Sequence, residues 1–274
     1  MIWDVPHHRG AGFPLTILRP TGVFSILANL HEDMHLRPVD LLNRLSAANI
    51  ADAPLVGTRD LSAGISDTLG SLSESGLLVR CVGGHHGGHT RYDLTRLGAG
   101  LVAAVAPITA WAMADFDFVV AATRVRLGLP PLRGPVLRDQ RKPRTATGMA
   151  ISLLDGLWAN TLMVYVDSAG EDGIGPLRLE DTVNADIEKS AGPDRVKRRL
   201  HRDTLYRTLR QLVAKGLLVR VEDPPRVRYL LTSHGRGLMD AWWQVADGYG
   251  IVHDAELFRV VASVSGWFGH PEKS

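Results

Sequence analysis

The chain has 274 residues, 45% of them hydrophobic, with 31 Lys and Arg against 29 Asp and Glu for a formal net charge of +2. That apolar content excludes a largely disordered chain and is enough for two modest cores, while the near balance of charge means that affinity for a polyanion has to come from local clustering of basic residues. Cys81 is the single cysteine, which excludes an intrachain disulfide and a four-thiolate zinc site, and a reducing interior fits it.

In chain order, the first residues, Met1 to His8, contain no basic segment followed by an apolar run, so no export signal is expected. Helical periodicity predicts helices over roughly 22–30 and 37–48 and a third helix ending at Ser75. Leu77 to Val82 and Thr90 to Leu94 are β-prone and flank a glycine-rich tip from Gly83 to Gly88, the pattern of a hairpin. A long helix is expected from about Leu97 to Arg126. Its apolar run, Leu101 to Ala114, is interrupted by Pro107 and is too short to span a bilayer, so the chain is read as soluble and cytoplasmic with no membrane partner. From Gly128 to Thr145, four prolines (Pro130, Pro131, Pro135, Pro143) stand with Arg138, Arg141, Lys142 and Arg144, the composition of a linker. The expected division is therefore 1–127, a Pro/Arg-rich linker at 128–146, and 147–274.

Beyond the linker, helices are predicted over roughly 148–166 and 179–189, and Glu188 to Arg198 forms an extra stretch before the next helix. Leu205, Leu209, Leu212 and Val213 recur at helical spacing, and that helix stops at Gly216, a residue suited to the left-handed conformation. Leu217 to Val221 reads as a strand, Asp223-Pro224-Pro225 as a break, and Arg226 to Leu231 as the returning strand. Thr232 or Ser233 caps a last helix expected from Gly237 to about Asp247.

The two halves repeat each other. Thr68-Leu69, Leu72 and Gly76-Leu77-Leu78-Val79-Arg80 recur 140 residues later as Thr208-Leu209, Leu212 and Gly216-Leu217-Leu218-Val219-Arg220. Arg91-Tyr92, Leu94-Thr95 and Gly98 recur 137 residues later as Arg228-Tyr229, Leu231-Thr232 and Gly235, the length change falling at the hairpin tip. A weaker match pairs Leu36-Arg37 and Asp40 with Leu177-Arg178 and Asp181. Leu205 to Arg220, followed by Arg228-Tyr229-Leu230-Leu231-Thr232 and Gly235, resembles the third helix and wing of the HxlR-like and MarR-like bacterial regulators. The resemblance implies a mainly α chain with small β-hairpin wings (α+β), built as two tandem winged helix-turn-helix domains with long flanking helices. It departs from the pattern at Glu188 to Arg198, where these families have a tight turn.

A winged helix carries its third helix into the major groove of double-stranded DNA and touches backbone or minor groove with its hairpin. In the second half, Arg195, Lys197, Arg198, Arg199, Arg202, Arg207 and Arg210 gather around the start of that helix, with Asp194 and Asp203 as the nearby acids. Cations beside free helix amides suit phosphate. Thr204, Arg207, Thr208 and Gln211 are the candidates for reading base edges, because Arg pairs with guanine, Gln with adenine, and Thr with either or with the thymine methyl. Tyr206 either touches phosphate or packs inward. Arg226 and Arg228 extend the basic surface onto the hairpin, Arg228 alternatively holding an acid within the strand. The bland reading is a solvated basic helix face, and the coincidence of charge with motif position favours DNA.

The first half differs. Its third helix carries Ser62, Ser66, Asp67, Thr68, Ser71, Ser73 and Glu74, with Arg59 as the nearby base, a face poor for phosphate. Its hairpin, with His85, His86, His89 and Arg91, lies along DNA, or else this half is a degenerate module for dimerisation or effector binding; both alternatives stay open. The three histidines with Cys81 raise a metal site, but a glycine-rich tip supplies little preorganisation, so no metal and no cofactor are expected. Trp111, Trp158, Trp242 and Trp243 lie on or near the flanking helices, where related regulators form dimer interfaces and effector pockets; core packing is the commoner fate, with a small aromatic effector or a homodimer through the terminal helices as the functional alternatives. Phosphate-cradling loops, a serine elbow and paired helix histidines are lacking, so no enzyme is expected. The expected function is a sequence-specific DNA-binding transcriptional regulator, with response to a ligand left open. The alternative is a protein-interaction or small-molecule-binding scaffold that does not read sequence.

Overall fold

A computed structural model of the chain describes residues 14, 17–18, 22–33, 35–49, 58–82, 90–131, 142–155, 158–190, 199–224 and 226–264. Among them the chain is mainly helical with two antiparallel two-stranded sheets, an α+β composition as expected. The elements of the first half are α1 (Val23–Glu32), α2 (Pro38–Asn49), α3 (Thr58–Glu74), β1 (Leu78–Val82), β2 (Thr90–Leu94), α4 (Arg96–Ala104), α5 (Ala106–Ala114) and α6 (Phe116–Arg126). Those of the second are α7 (Pro143–Leu153), α8 (Ala159–Ser168), α9 (Pro176–Ser190), α10 (Arg202–Ala214), β3 (Leu218–Asp223), β4 (Arg226–Leu231), α11 (Ser233–Val245) and α12 (Asp254–Val264).

The repeated sequence forms the same bonds twice. Each third helix ends on a glycine with positive φ, Gly76 at +81° and Gly216 at +74°. There the amides of Leu77 and Leu217 reach back to the carbonyls of Leu72 and Leu212, both at 3.0 Å, the closing bond of a Schellman turn. Thr95 and Thr232 then tie the returning strand to the next helix. Their hydroxyls donate to the carbonyls of Gly76 and Gly216, both at 2.7 Å, and accept from the amides of Gly98 and Gly235 at 3.1 and 3.0 Å. A short bridge completes each sheet, Leu36 with Tyr92 and Ile174 with Tyr229.

That bridge corrects the weakest sequence match. Leu36 is equivalent to Ile174, and Pro38 to Pro176, each pair 138 residues apart. Matching Leu36 to Leu177 would set a residue 8% exposed against one 53% exposed. With the corrected register the buried positions coincide, Leu41 with Leu179 and Leu45 with Val183.

Other boundaries also differ from expectation. The helix expected over 97–126 is three helices, because Pro107 has no N–H to continue the ladder and sits instead in the first turn of α5, where none is needed. A second break falls at Asp115, which precedes α6. The helix expected over 148–166 is α7 and α8, and α11 begins at Ser233 rather than Gly237 because Thr232 supplies its cap. The stretch Arg96–Ala114 is apolar enough and long enough to cross a membrane, with a mean hydropathy of 1.7 and about 33% of it buried. Gly98, Leu101, Val105, Ile108, Trp111 and Ala112 are buried along it at helical spacing, so one side of the stretch packs inward.

Contacts divide the chain into two compact units, each drawn from non-contiguous segments: 1–113 with 137–151 and 242–274, and 114–136 with 152–241. In the first, Arg144 of α7 donates to Asn29 at 2.8 Å and pairs with Glu32 at 2.9 Å, both on α1, and Thr147 meets Thr109 of α5 at 2.7 Å. The Tyr249 hydroxyl donates to the Leu97 carbonyl at 2.6 Å, its ring lying over Gly100. In the second, Phe118 of α6 stacks on His234 at 3.9 Å between ring centroids.

Candidate functional site

In α10, Leu205, Leu209 and Leu212 have no exposed surface, and the helix is fixed to its core by that stripe. The opposite side presents Asp203, Arg207, Arg210 and Gln211, all exposed; Arg202, three residues before Leu205, is exposed at the start of the helix, and Thr204 and Tyr206 are half-buried. His201 precedes the helix without a side-chain cap. Its first-turn amides therefore add positive potential beside these arginines. Asn184 of α9 sets the entry, accepting from the Leu200 amide at 2.8 Å and donating to the Leu200 carbonyl at 3.1 Å.

Thr208 does not belong to the outward face. It is 8% exposed, and its hydroxyl donates to the Thr204 carbonyl at 2.8 Å, so it is removed from the base-reading candidates. Its position, three residues after Leu205 and four before Leu212, places it on the apolar stripe. That signal is present in the sequence.

The arginines are not equally free. Arg199 pairs with Glu188 at 3.4 Å and Arg202 with Glu180 at 3.3 Å, both acids on α9. Arg210 donates to the Tyr206 carbonyl at 3.3 Å, and Arg207 has no side-chain partner among the described residues. The two ion pairs keep their arginines well exposed, where such a pair contributes about 0–1 kcal/mol and a phosphate can compete for the guanidinium. Lys197 and Arg198 lie outside the described residues. Sequence spacing gives no hint of Glu180 as a partner, because it stands 22 positions from Arg202.

On the hairpin, Arg226 is exposed beside the tip with no side-chain partner among the described residues. Arg228 is committed elsewhere: it donates to the Asp172 carbonyl at 2.9 Å and lies 3.8 Å from Asp223, which favours the strand-holding alternative for this residue. Arg220 pairs with Glu222.

In the first half, His85, His86 and His89 lie outside the described residues, and Arg91 is exposed on β2. The described outward side chains of α3 are Ser66, Asp67 and Glu74, neutral or acidic as expected. Of the tryptophans, Trp242 has no exposed surface and Trp111 is 9% exposed, so both are core residues and neither offers a face to a ligand or a partner. Trp158 and Trp243 are half-buried.

At the far end of α10 an open cleft of about 490 Å³ is lined by Arg126, Asp155, Gln211 and Lys215. Lys215 is 7% exposed and donates to the Leu153 carbonyl at 2.7 Å. Burial pulls its pKa down to about 8, Arg126 adding to the fall and Asp155 opposing it. Between that value and the ordinary 10.5, an unfolded chain holds a proton that the folded chain has released, so stability rises with pH across this window. Burial raises the pKa of Tyr165 and Tyr249. They pull stability down again above pH ~10, where unfolded tyrosine ionises. Denaturant titrations at several pH values from 8 to 10 are expected to show a gain of about 1 kcal/mol per pH unit in the native chain and a flat profile in Lys215→Met. Equal slopes would refute the assignment.

Comparison with protein-family models, with curated proteins and with solved structures finds no match for this chain.

Proposed function

We propose that the chain is a sequence-specific DNA-binding transcriptional regulator made of two tandem winged helices, in which α10 enters the major groove and the β3–β4 hairpin follows the backbone. The observation that carries this reading is the two-sidedness of α10: leucines without exposed surface on one side, Arg207, Arg210 and Gln211 on the other, with Arg202 exposed at the start of the helix. The order helix, bridge, helix, helix, hairpin, helix in both halves is that of a winged helix, and it agrees with the resemblance carried by the repeated motif. Phosphate binding falls to the arginines and the uncapped first turn of α10; base reading falls to Arg207 and Gln211, with Thr204 at the edge. Arg226 supplies the backbone contact of the hairpin.

A second reading is favoured by the neutral to acidic outward face of α3. In it the first half serves dimerisation or effector binding and leaves DNA to the second. Selection of bound fragments from the source genome, followed by anisotropy titrations over a range of salt, tests the proposal. The expected result is a set of related sequences bound with a log–log salt slope of about −0.9 per phosphate contact. Absence of binding, or binding indifferent to salt, would favour the scaffold alternative.

A further inference from the structure

His35, Cys81 and Asp93 are remote in sequence and adjacent in the first sheet. The bridge between Leu36 and Tyr92 sets His35 beside Asp93. The hairpin register, Val79 opposite Asp93 and Cys81 opposite Arg91, puts Cys81 diagonal to Asp93. Leu36 and Tyr92 are buried, and strand alternation therefore turns their neighbours His35 and Asp93 to the other side of the sheet, where Cys81 also lies. One nitrogen of His35, the Cys81 sulfur and one Asp93 oxygen all fall within 4.8 Å of one another. His35 Nδ1 is 2.6 Å from Asp93 Oδ2, the His35 amide donates to Asp93 Oδ1 at 2.5 Å, and Cys81 Sγ stands 3.9 Å from Asp93 Oδ2.

A second observation concerns the backbone. His35 has φ +65°, the one positive value at a non-glycine position among the described residues. Such strain persists where surrounding structure over-determines it, and it gathers at ligand clamps. Here the strained turn aims the imidazole at the carboxylate of the neighbouring strand. The Asp93 side chain is 14% exposed and the His35 side chain 55% exposed, so the cluster is open to solvent on the histidine side.

We propose that His35, Cys81 and Asp93 bind one divalent transition-metal ion of the zinc class, leaving a fourth position open. Imidazole, thiolate and carboxylate are the donors zinc takes, whereas calcium and magnesium require several oxygens. On binding, the Cys81 thiol releases its proton to solvent and His35 ligates as the neutral imidazole. Thiolate and carboxylate then match the charge of the ion. The His35–Asp93 hydrogen bond gives way as the two donors part to about 3.3 Å, the separation that tetrahedral bonds of ~2.0–2.1 Å impose. The site does not depend on whether the second half reads DNA.

The test is cobalt(II) titration of the full chain, kept reduced by a phosphine that does not ligate metals. The expected result is saturation at one equivalent with a thiolate-to-cobalt charge-transfer band and the visible bands of tetrahedral coordination, both bleached by zinc. Cys81→Ser is expected to remove the charge-transfer band. His35→Asn, in which asparagine tolerates the positive φ, and Asp93→Asn are each expected to weaken binding at least tenfold. His85, His86 and His89 replaced together by alanine are expected to leave the spectrum unchanged. No charge-transfer band at one equivalent, a band indifferent to His35→Asn, or its loss in the triple histidine variant would each overturn the assignment. Since His35 is more than half exposed, its variant keeps the test open even if Asp93→Asn fails to fold.

Discussion

Replacing Arg202, Arg207 and Arg210 together by alanine is expected to lower affinity for duplex DNA by about a hundredfold at ~0.1 M salt and to make the salt dependence shallower by about 0.9 per lost phosphate contact. All three side chains are exposed, Arg207 and Arg210 on the side of α10 opposite its leucines and Arg202 at the start of the helix. Folding stability should therefore stay within about 1 kcal/mol of the native chain, the loss of the Arg202–Glu180 pair included, which separates loss of contact from loss of structure. Glu180→Gln tests the same surface from the opposite direction. It frees Arg202 from its 3.3 Å partner and removes a negative charge near the proposed phosphate path, so binding should tighten. Gln211→Ala should leave the salt slope alone and reduce discrimination at one base position, by about 1–3 kcal/mol. A triple variant that binds as the native chain does would remove the physical basis of the regulator reading.

Gly235→Ala is expected to cost about 3 kcal/mol or more of stability, read as a fall of about 10 °C in Tm. A Cβ there would lie 2.1 Å from the Leu217 carbonyl oxygen and 3.1 Å from its carbon. These are backbone atoms, fixed by the bonds that close α10 and open α11. Gly98→Ala in the first repeat meets the Leu77 carbonyl oxygen at 2.3 Å and should cost a similar amount. Gly70→Ala provides the contrast: within α3 its Cβ would meet nothing within 4 Å. Removing the backbone freedom of that glycine should add about 0.5–1 kcal/mol. Calorimetry on the three variants checks the ordering, and a Gly235→Ala chain as stable as the native one would show that the helix start can step away from the strand.

The two glycine pairs explain why so much of the repeat is legible. Gly76 and Gly216 are needed for positive φ, Thr95 and Thr232 for a cap that also holds the preceding turn, and Gly98 and Gly235 for close approach to a carbonyl. Each requirement is met within a few residues or by one tight contact, so it leaves a fixed residue type at a fixed spacing. The leucine stripe of α10 is legible for the same reason, and it already assigns Thr208 to the buried side.

Interactions between remote segments leave no such mark. Nothing in the spacing of Arg228 reveals that the Asp172 carbonyl holds it, and nothing near Arg199 points to Glu188. The register of Leu36 with Ile174 was likewise hidden, because loops of unequal length separate the matched helices and a leucine three positions away offered a better identity match. The breaks at Val105 and Asp115 interrupt a segment whose apolar periodicity alone favours one helix.

The amino-acid order by itself determined the repeated hairpins, their glycine and threonine punctuation, the amphipathic third helix of the second half and the contrast in charge between the two halves, all set by contacts over one or two turns. Tertiary structure alone decided which arginines are engaged by carboxylates, that Lys215 is buried at the end of α10, and that His35, Cys81 and Asp93 converge. Those outcomes depend on how strands and helices distant in the chain come to lie side by side, which local periodicity does not encode.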